Sequence, residues 1–316
     1  MLKVLFAPLQ GYTTGIYRAA HAKIFGGIEA YYAPFLRIEN GLPRERDLRD
    51  LEIPASMPGS PRGIPQVIAN SAEEFKILAD ALLQKGFTEI DFNMGCPFPM
   101  QVSRHRGAGL LNDTRTVQEI MDEIARLSAA GTVKFSVKMR LGHDSPDEAF
   151  ALLPILNDTP LTHITLHPRL GKQQYKGAID IKSFEKFYSE CRHPLVYNGN
   201  ITDVSQIQEM ERRYPNLAGV MIGRGLLAQP SLASEYRTGA TESKFISKLF
   251  QMHQIIFEHA RQTFQGDSQI LAHVQSFWDY LEPSIPKKTF KRIKKSGKLS
   301  VYADAVSTLL PENQHE

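Results

Sequence analysis

The feature that most constrains the fold is a repeated alternation of short β-rich apolar runs with amphipathic helical stretches. The 316-residue chain contains eight such strand candidates, and most of them are near-continuous apolar runs, which is typical of parallel strands covered on both faces. They cover residues 4–7, 28–35, 64–69, 89–93, 133–139, 163–167, 194–198 and 218–222. Eight strands with helices after most of them predict a (β/α)₈ (TIM) barrel of the α/β class.

Helix signals lie between these strands. Ser71 is a good N-cap and Gly86 a good stop for one helix, and Thr114 is the predicted cap of another. A doubly wound sheet is the competing architecture, but it usually places a Gly-rich phosphate turn after its first strand. Here that turn reads Pro8-Leu9-Gln10-Gly11, which favours the barrel. The predicted helices cover 71–85, 114–130 and 204–214.

The last quarter of the chain has a different pattern. No strand is evident beyond residue 240, and helical patterns follow a small-residue junction at 239–243. We therefore expect a barrel domain over 1–240 and a small all-helical domain over 241–316. The helices of that domain are predicted at 243–264, 269–281 and 300–310.

Composition excludes several classes of protein. Hydrophobic residues make up 42% and charged residues 22%, which is ordinary for a soluble globular enzyme. No apolar run approaches the roughly 20 residues of a membrane span, so no membrane association is expected. The two cysteines, Cys96 and Cys191, exclude a disulfide scaffold and favour a reducing cytoplasm. No close His/Cys/Asp/Glu spacing indicates a metal site, and no exposed apolar stripe is evident, so a monomer is expected.

Polar residues mark the ends of the predicted strands. In barrels of this type the active site forms at the carboxyl ends of the strands. The third to eighth strands end in residues that are unusual for apolar strands, and we expect these residues to surround one site. They are Gln66, Asn93, Cys96, Lys138, Arg140, His167, Arg169, Asn198, Asn200, Gly223 and Arg224.

The loops after the last two strands predict a phosphate site. They read Asn198-Gly199-Asn200 and Gly223-Arg224-Gly225. Glycines let backbone N–H groups approach an anion, the following helix offers its positive end, and Arg224 adds a fixed cation. The alternative is a pair of tight turns with a surface arginine, but phosphate sites of these barrels lie at these two strands.

Lys138 and His167, at the ends of the fifth and sixth predicted strands, are expected to contact a ligand or cofactor. Lys138 lies inside an apolar strand, and a lysine there requires an anionic or strongly accepting partner. An anionic reduced flavin would suit it, and so would a Schiff base. His167 ends the next strand, where its position beside the phosphate loops favours contact with a cofactor over the role of a satisfied core histidine.

Cys96 lies in a Gly-Cys-Pro turn just past a strand end, where its thiol is expected to face the pocket. A nucleophile, a general acid and an inert thiol are all open, although no His/Asp pair is evident to activate it for hydrolysis. The glycines of the following segment 107–111 predict a movable cover. Cys191 precedes the seventh strand on the opposite face and is expected to be structural.

The segment 286–298 carries seven cations and no acid. Such a run predicts a phosphate-tracking patch for RNA, and a solvated helix face is the alternative. Phe277, Trp278 and Tyr280 precede it at a spacing that favours helix core over stacking platforms. The cations expected to contact RNA are Lys287, Lys288, Lys291 and Arg292, with Arg104, Arg140 and Arg169 at the barrel mouth.

Together these motifs resemble the flavin-dependent tRNA-dihydrouridine synthase family over nearly the whole chain. Any one of them is weak, but all of them in this order are highly specific. They are Ala7-Pro8, Pro65-Gln66-Val67, the turn 93–97 with 107–111 behind it, 137–142, His167-Pro168-Arg169 followed by Tyr175-Lys176-Gly177, 198–201 and 221–225.

The resemblance implies a barrel that carries FMN and a helical domain that together grip tRNA. It implies reduction of the C5=C6 bond of a D-loop uridine, with FMN reduced by NADPH, hydride passing from flavin N5 to C6, and Cys96 protonating C5. The residues that match the family's flavin contacts are Ala7, Pro8, Gln66, Asn93, Lys138, His167, Asn198, Gly199, Asn200, Gly223 and Arg224.

Two other functions compete with this one. An FMN-dependent reductase or dehydrogenase of a free pyrimidine, similar to dihydroorotate dehydrogenase, would share the barrel, the lysine and the cysteine but would not need the basic run. An RNA-binding module that has lost catalysis would need neither Cys96 nor Lys138 nor His167, and their presence argues against it.

Overall fold

The computed structural model describes residues 1–310, and the last six residues of the predicted helical domain lie outside this range. Eight parallel strands form one sheet, and we number them first to eighth in chain order. Each falls at one of the predicted positions. Their bounds are Lys3–Phe6, Ala30–Tyr31, Gln66–Val67, Glu89–Met94, Lys134–Gly142, Leu161–Leu170, Leu195–Tyr197 and Gly219–Ile222.

The sheet closes into a barrel. In spatial order the strands run second, first, eighth, seventh, sixth, fifth, fourth and third. Parallel bridges between Tyr32 and Ile64 and between Leu36 and Val67 join the two remaining edges. The predicted (β/α)₈ barrel is therefore confirmed, and every edge of the sheet is paired.

The second and third strands are much shorter than the predicted ranges 28–35 and 64–69. Each retains two ladder residues, with isolated bridges beyond them. Pro34 and Pro65 lie inside the predicted ranges, and a proline has no N–H to donate to a neighbouring strand. The fifth and sixth strands are longer than predicted and end at Gly142 and Leu170.

Helices surround the barrel, and one of the two predicted N-caps is correct while the other is wrong. Ser71 caps its helix, because its hydroxyl accepts from the amide of Glu74 at 3.2 Å. The prediction of Thr114 as a cap is wrong, since the preceding Asp113 accepts from the amide of Thr116 at 3.0 Å and is the stronger acceptor. The barrel helices are Gly15–Ile24, Ala72–Gln84, Thr114–Ala129, Asp147–Asp158, Ile181–Glu190, Val204–Arg213, Arg224–Ala228 and Leu232–Thr238.

The long connection between the second and third strands is folded on the rim. It contains the hairpin Ile38–Glu39 and Leu42–Pro43 and the short helix Glu45–Arg49. The buried guanidinium of Arg18 ties it down, donating to the Asp50 carboxylate at 3.0 Å and to the Asp50 carbonyl at 2.6 Å. Short helical segments in the other loops are Pro99–Val102, Gly107–Leu110 and Gly171–Gln173.

Beyond the barrel the described chain is helical. The predicted segment 269–281 divides into an α-helix and a 3₁₀ turn, and the basic run forms a helix of its own that the sequence patterns did not predict. No helix within residues 1–310 is long and apolar enough to cross a membrane. The elements are Phe245–Thr263, Asp267–Val274, Gln275–Trp278, Glu282–Ser284, Lys287–Lys295 and Leu299–Ser307.

One continuous apolar core runs through the barrel and these helices. The helix Gly15–Ile24 and the following Phe25 form the contact. The ring centroids of Tyr17 and Phe277 lie 6.1 Å apart, and those of Phe25 and Phe245 also lie 6.1 Å apart. The helical region is thus packed on the side of the barrel as part of the same interior.

A polar cluster is buried in that helical region. The indole N–H of Trp278 donates to the Tyr302 hydroxyl at 2.8 Å, and Nε2 of His253 lies 2.6 Å from the same hydroxyl. Burial lowers the pKa of His253 to about 3, so the folded protein holds this ring neutral.

We expect His253 to make stability fall on acidification. In the unfolded chain a histidine takes up a proton as the pH falls through about 6.5, whereas folded His253 does not, so the free energy of unfolding decreases below that pH. At pH 5 the contribution is about 2 kcal/mol. Denaturant unfolding of the wild type and His253→Gln at pH 7 and pH 5 measures it. Equal losses of stability in the two proteins would contradict the assignment.

Candidate functional site

A single cavity of about 740 Å³ opens at the carboxyl ends of the barrel strands. All the residues predicted to contact a cofactor line it, and Cys96 and Arg140 line it as well. The predicted site residues found here are Ala7, Pro8, Gln66, Asn93, Cys96, Lys138, Arg140, His167, Asn198, Gly199, Asn200, Gly223 and Arg224.

Polar side chains occupy every second position of the fourth, fifth and sixth strands and are joined by Gln66 of the third, and some of them line the cavity while the others lie in the barrel interior. Alternate residues of a strand point to opposite faces, and the intervening Phe92, Val137, Met139 and Leu166 lie in the apolar core. The strand register sets the polar residues side by side in levels. These levels are Gln66–Asp91–Ser136, Asn93–Lys138–Thr165 and Arg140–His167.

Lys138 is held by the seventh and eighth strands. Its ammonium donates to Oδ1 of Asn198 at 2.7 Å, and the amide of Asn198 donates to the Met221 carbonyl at 2.7 Å. Burial, and then the charge of Arg140, lower the pKa of Lys138 to about 8. The lysine is therefore largely cationic at neutral pH and donates to a neutral amide, and it can also donate to an electron-rich ligand in the cavity.

His167 is oriented by Arg169. Nη1 of Arg169 lies 3.2 Å from Nε2 of His167, and because a guanidinium can only donate, Nε2 must accept. The ring is then neutral with its proton on Nδ1. Burial and the neighbouring cations hold its pKa well below the usual value. His167 can therefore offer an N–H donor to a ligand.

Cys96 lies half-buried on the loop after the fourth strand, and its backbone is fixed on both sides. Oδ1 of Asn93 accepts from the amides of Gly95 and Cys96 at 3.0 and 2.9 Å, and Nε of Arg140 donates to the Gly95 carbonyl at 2.9 Å. Burial is the main cause that raises the pKa of the thiol. Cys96 is thus a neutral S–H that can give up one proton.

The glycines behind Cys96 do not form the movable cover that their sequence predicted. Residues 107–110 are a buried 3₁₀ turn packed against the cysteine. Gly107 has φ +61°, and a Cβ built on it would lie 2.7 Å from the Cys96 carbonyl oxygen. The glycine is needed for close packing, and the turn supports the thiol from behind.

The other end of the cavity has the chemistry of an anion site. Gly199 and Asn200 lie beside Gly223 and Arg224 there, and Asn200 has φ +44°. Gly225 follows with no room for a side chain, since a Cβ on it would lie 2.1 Å from the Ile201 carbonyl oxygen. Backbone amides and one guanidinium are thus available to a phosphate, as the loop sequences predict.

Two of the three substrate residues predicted at the barrel mouth lie outside the cavity. Arg169 is only 2% exposed and donates to His167, to Asn200 and to the Gly177 carbonyl. Arg104 is exposed on the loop after Cys96. The structure therefore places Arg169 behind the cavity wall and Arg104 on the outer surface of the barrel mouth.

Tyr175 and Tyr280 are lining residues that sequence reasoning did not single out for the site. Tyr175 is 48% exposed, and its ring centroid lies 4.7 Å from the guanidinium carbon of Arg224 and 5.5 Å from that of Arg140. Tyr175 belongs to the Tyr175-Lys176-Gly177 motif that follows the sixth strand, and this motif could have identified it as a site residue. Gln10, Phe35, Thr202 and Gln206 also line the cavity unpredicted.

Tyr280 reaches the cavity from the helical region. The predicted core role is confirmed for Phe277 and Trp278, which are 8% and 0% exposed. Tyr280 also packs against the core but is only partly buried, and its ring packs edge-on against Tyr12 with the ring centroids 5.2 Å apart. The Tyr12 hydroxyl donates to the Asp279 carboxylate at 3.1 Å. No local pattern shows this contact, because it joins residues that are far apart in the sequence.

The basic helix Lys287–Lys295 lies on the surface of the same region. Arg292 pairs with Asp304 and Lys294 with Asp279. Lys287, Lys288 and Lys291 have no acidic partner within ion-pair distance in the part of the chain that the structure describes, and these cations are free for an external anion. In the same part of the chain no group of three or more His, Cys, Asp or Glu residues is placed to hold a metal ion.

Comparison with known proteins extends these observations. The tRNA-dihydrouridine(16) synthase of Haemophilus ducreyi is 26% identical over 226 residues, which is 71% of this chain and 66% of that protein. A probable tRNA-dihydrouridine synthase of Staphylococcus epidermidis is 29% identical over 200 residues, which is 62% of this chain and 60% of that protein. The chain thus spans about three-fifths to two-thirds of the length of these relatives.

Solved structures and a family model complete the comparison. Morphinone reductase superposes with a TM-score of 0.54 at 13% identity over 76% of this chain and 86% of that one, a likeness that concerns the barrel fold alone. The family model described as dihydrouridine synthase (Dus) matches residues 5–309. Because this match takes in both the barrel with its cavity and the helical region, the chain belongs to the dihydrouridine synthase family.

Proposed function

We propose that the protein is a flavin-dependent tRNA-dihydrouridine synthase, which uses FMN and NADPH to reduce the C5=C6 bond of a D-loop uridine. One observation carries the proposal: a single cavity unites the thiol of Cys96 with every residue predicted to contact the flavin. Family membership supports it independently, as do the relatives named for this activity.

The residues of the cavity fit FMN. Its volume of about 740 Å³ lies within the usual range of cofactor sites. The amides of Gln66 and Asn93 and the ammonium of Lys138 would hold the polar edge of the ring system. Arg224, with the amides around Gly199 and Gly223, would hold the phosphate.

In the proposed reaction the cofactor and the side chains of the cavity have separate roles. When bound and reduced by NADPH, FMN supplies the hydride that C6 of the uracil receives. Cys96 holds the proton that C5 receives, and the raised pKa of its half-buried thiol keeps that proton in place at neutral pH. Asn93 and Arg140 hold the backbone that positions this thiol.

Recognition of tRNA is assigned to the helical region. A uracil in a folded RNA loop must leave its stack to enter a barrel mouth, so the enzyme must hold the rest of the RNA outside. The ammonium groups of Lys287, Lys288 and Lys291, which have no acidic partner among residues 1–310, suit the phosphate backbone of such a substrate. A reductase of free pyrimidines would have no use for them.

The central prediction is a product at one position of tRNA. Purified yellow protein incubated with NADPH and tRNA lacking dihydrouridine should form dihydrouridine at a single D-loop position, mapped by mass spectrometry of nuclease fragments. Position 16, for which the Haemophilus ducreyi relative is named, is the first to examine. Reduction of orotate or uridine but not of tRNA would identify a free-pyrimidine reductase, and tRNA binding without turnover would identify a binding module.

Cys96→Ala should retain FMN and tRNA binding but slow reduction by about 10²–10⁴-fold, the usual scale for one general acid. Single-turnover oxidation of the reduced flavin by tRNA measures this rate. The matched control is Cys191→Ala, which removes the other cysteine, outside the cavity, and should leave the rate unchanged. A Cys96→Ala enzyme as fast as the wild type would exclude the thiol from the mechanism.

Neutralising Lys287, Lys288 and Lys291 to Gln should weaken tRNA binding and flatten its dependence on salt. Each lost phosphate contact reduces the slope of log K against log salt by about 0.7–0.9. Arg292→Gln is the control, because its guanidinium is paired with Asp304. This substitution should change the slope less than the loss of one of the three lysines does. A triple variant with the wild-type slope would show that RNA binds elsewhere.

A further inference from the structure

We propose that Asp91 is a positioning residue for this reaction, because it sets the direction of a hydrogen-bond chain that ends on the backbone of Cys96. The inference rests on the proposed function of the cavity. Asp91 is completely buried and is absent from the cavity lining, so it can act on substrate and cofactor only through other residues.

The chain begins across three adjacent strands at one level of the barrel. Asp91 accepts from the Ser136 hydroxyl at 2.6 Å and from Nε2 of Gln66 at 2.6 Å. Each carboxylate oxygen thus has its own donor. The strand register pairs Gln66 with Asp91 and Asp91 with Ser136, so the contact is built into the sheet and does not depend on a loop.

From Gln66 the chain continues to the cysteine loop. Oε1 of Gln66 accepts from Nδ2 of Asn93 at 2.6 Å. Oδ1 of Asn93 then accepts from the amides of Gly95 and Cys96 at 3.0 and 2.9 Å. Two side-chain amides therefore lie between the buried carboxylate and the residue that carries the thiol.

The carboxylate determines which way both amides face. An ionised carboxylate can only accept, so Gln66 must turn its NH₂ toward Asp91 and its oxygen toward Asn93. Asn93 must then turn its NH₂ toward Gln66 and its oxygen toward the amides of the loop. If both amides reversed, the NH₂ of Asn93 would face the two N–H donors of Gly95 and Cys96.

Burying an ionised carboxylate at this position costs folding free energy, which favours a functional role for Asp91. Burial raises the pKa of Asp91 to about 6, against the opposing hydrogen bonds from Gln66 and Ser136 and the charge of Lys138. A buried charge disfavours folding unless it is well paired. An apolar side chain would fill the barrel without that cost, but it would leave Gln66 without the acceptor that fixes the direction of its amide.

The same chain acts on the flavin side of the cavity. Gln66 and Asn93 both line it, and the direction set by Asp91 decides which of their remaining donor and acceptor positions face the ring. One buried residue therefore orders both partners of the reaction: the loop that carries the proton and the amides that hold the cofactor.

Asp91→Asn and Asp91→Ala test the proposal in a Cys191→Ser background, so that Cys96 is the only thiol. Asparagine can still accept from Gln66 with its oxygen and donate to the Ser136 hydroxyl, which preserves the direction without the charge. Alanine has no acceptor. Alkylation of Cys96 by iodoacetamide, followed by mass spectrometry in the absence of tRNA, reports how firmly the loop is held.

We expect alkylation to be about 5–30-fold faster in Asp91→Ala than in the parent, the factor that corresponds to one or two kcal/mol from a lost buried hydrogen bond. In Asp91→Asn it should stay within about twofold of the parent. With tRNA, the alanine variant should lose kcat by a similar factor while KM, which depends on the distant lysines, stays near the parent value.

Two results would overturn the proposal. One is an alanine variant with the parent's alkylation rate, and the other is an asparagine variant as impaired as the alanine one, which would assign the effect to charge. Gln66→Met breaks the next link with little change in volume, and it should show the same faster alkylation even if Asp91→Ala does not fold. Because alkylation needs no substrate, it stands or fails separately from tRNA reduction.

Discussion

Burying polar groups inside a closed barrel is costly unless they find partners, and this cost organises the cavity end of the molecule. The strand register brings Gln66, Asp91 and Ser136 to one level and Asn93 and Lys138 to the next. Each level satisfies part of its hydrogen bonding internally and leaves the remainder to a ligand. The sheet geometry itself therefore lines the cavity with polar groups that can bind a polar ligand.

The backbone of the cysteine loop is likewise held by contacts with the barrel. Asn93 fixes it from the floor, Arg140 fixes it from the fifth strand, and Gly107 closes behind it without a side chain. A thiol that acts as an acid must present one atom in one place, and a loop with a fixed backbone meets that need better than a mobile one. The glycines that look like hinges in the sequence are here the means of close contact.

Much of this could be predicted from the sequence, for physical reasons that differ from residue to residue. Lys138 and His167 stand out because charged or polar groups are rare in apolar strands, and parallel strands deliver their ends to one place. The lengths of the second and third strands were not predictable from hydrophobicity, since Pro34 and Pro65 remove the donors that would extend them. Tyr280 was beyond reach because its place depends on how distant helices pack against Tyr12.

The continuous core between the barrel and the helical region has a consequence for the choice of nucleotide. Tyr17 and Phe25 lock the two regions together, so the lysines of the basic helix stand at a fixed offset from the cavity. If a folded RNA is bound by that helix, the fixed distance between helix and cavity determines which of its nucleotides can reach the cavity. Under the proposed function, the base that reaches the cavity would be selected by its distance along the folded RNA, and its neighbouring bases would not need to be read.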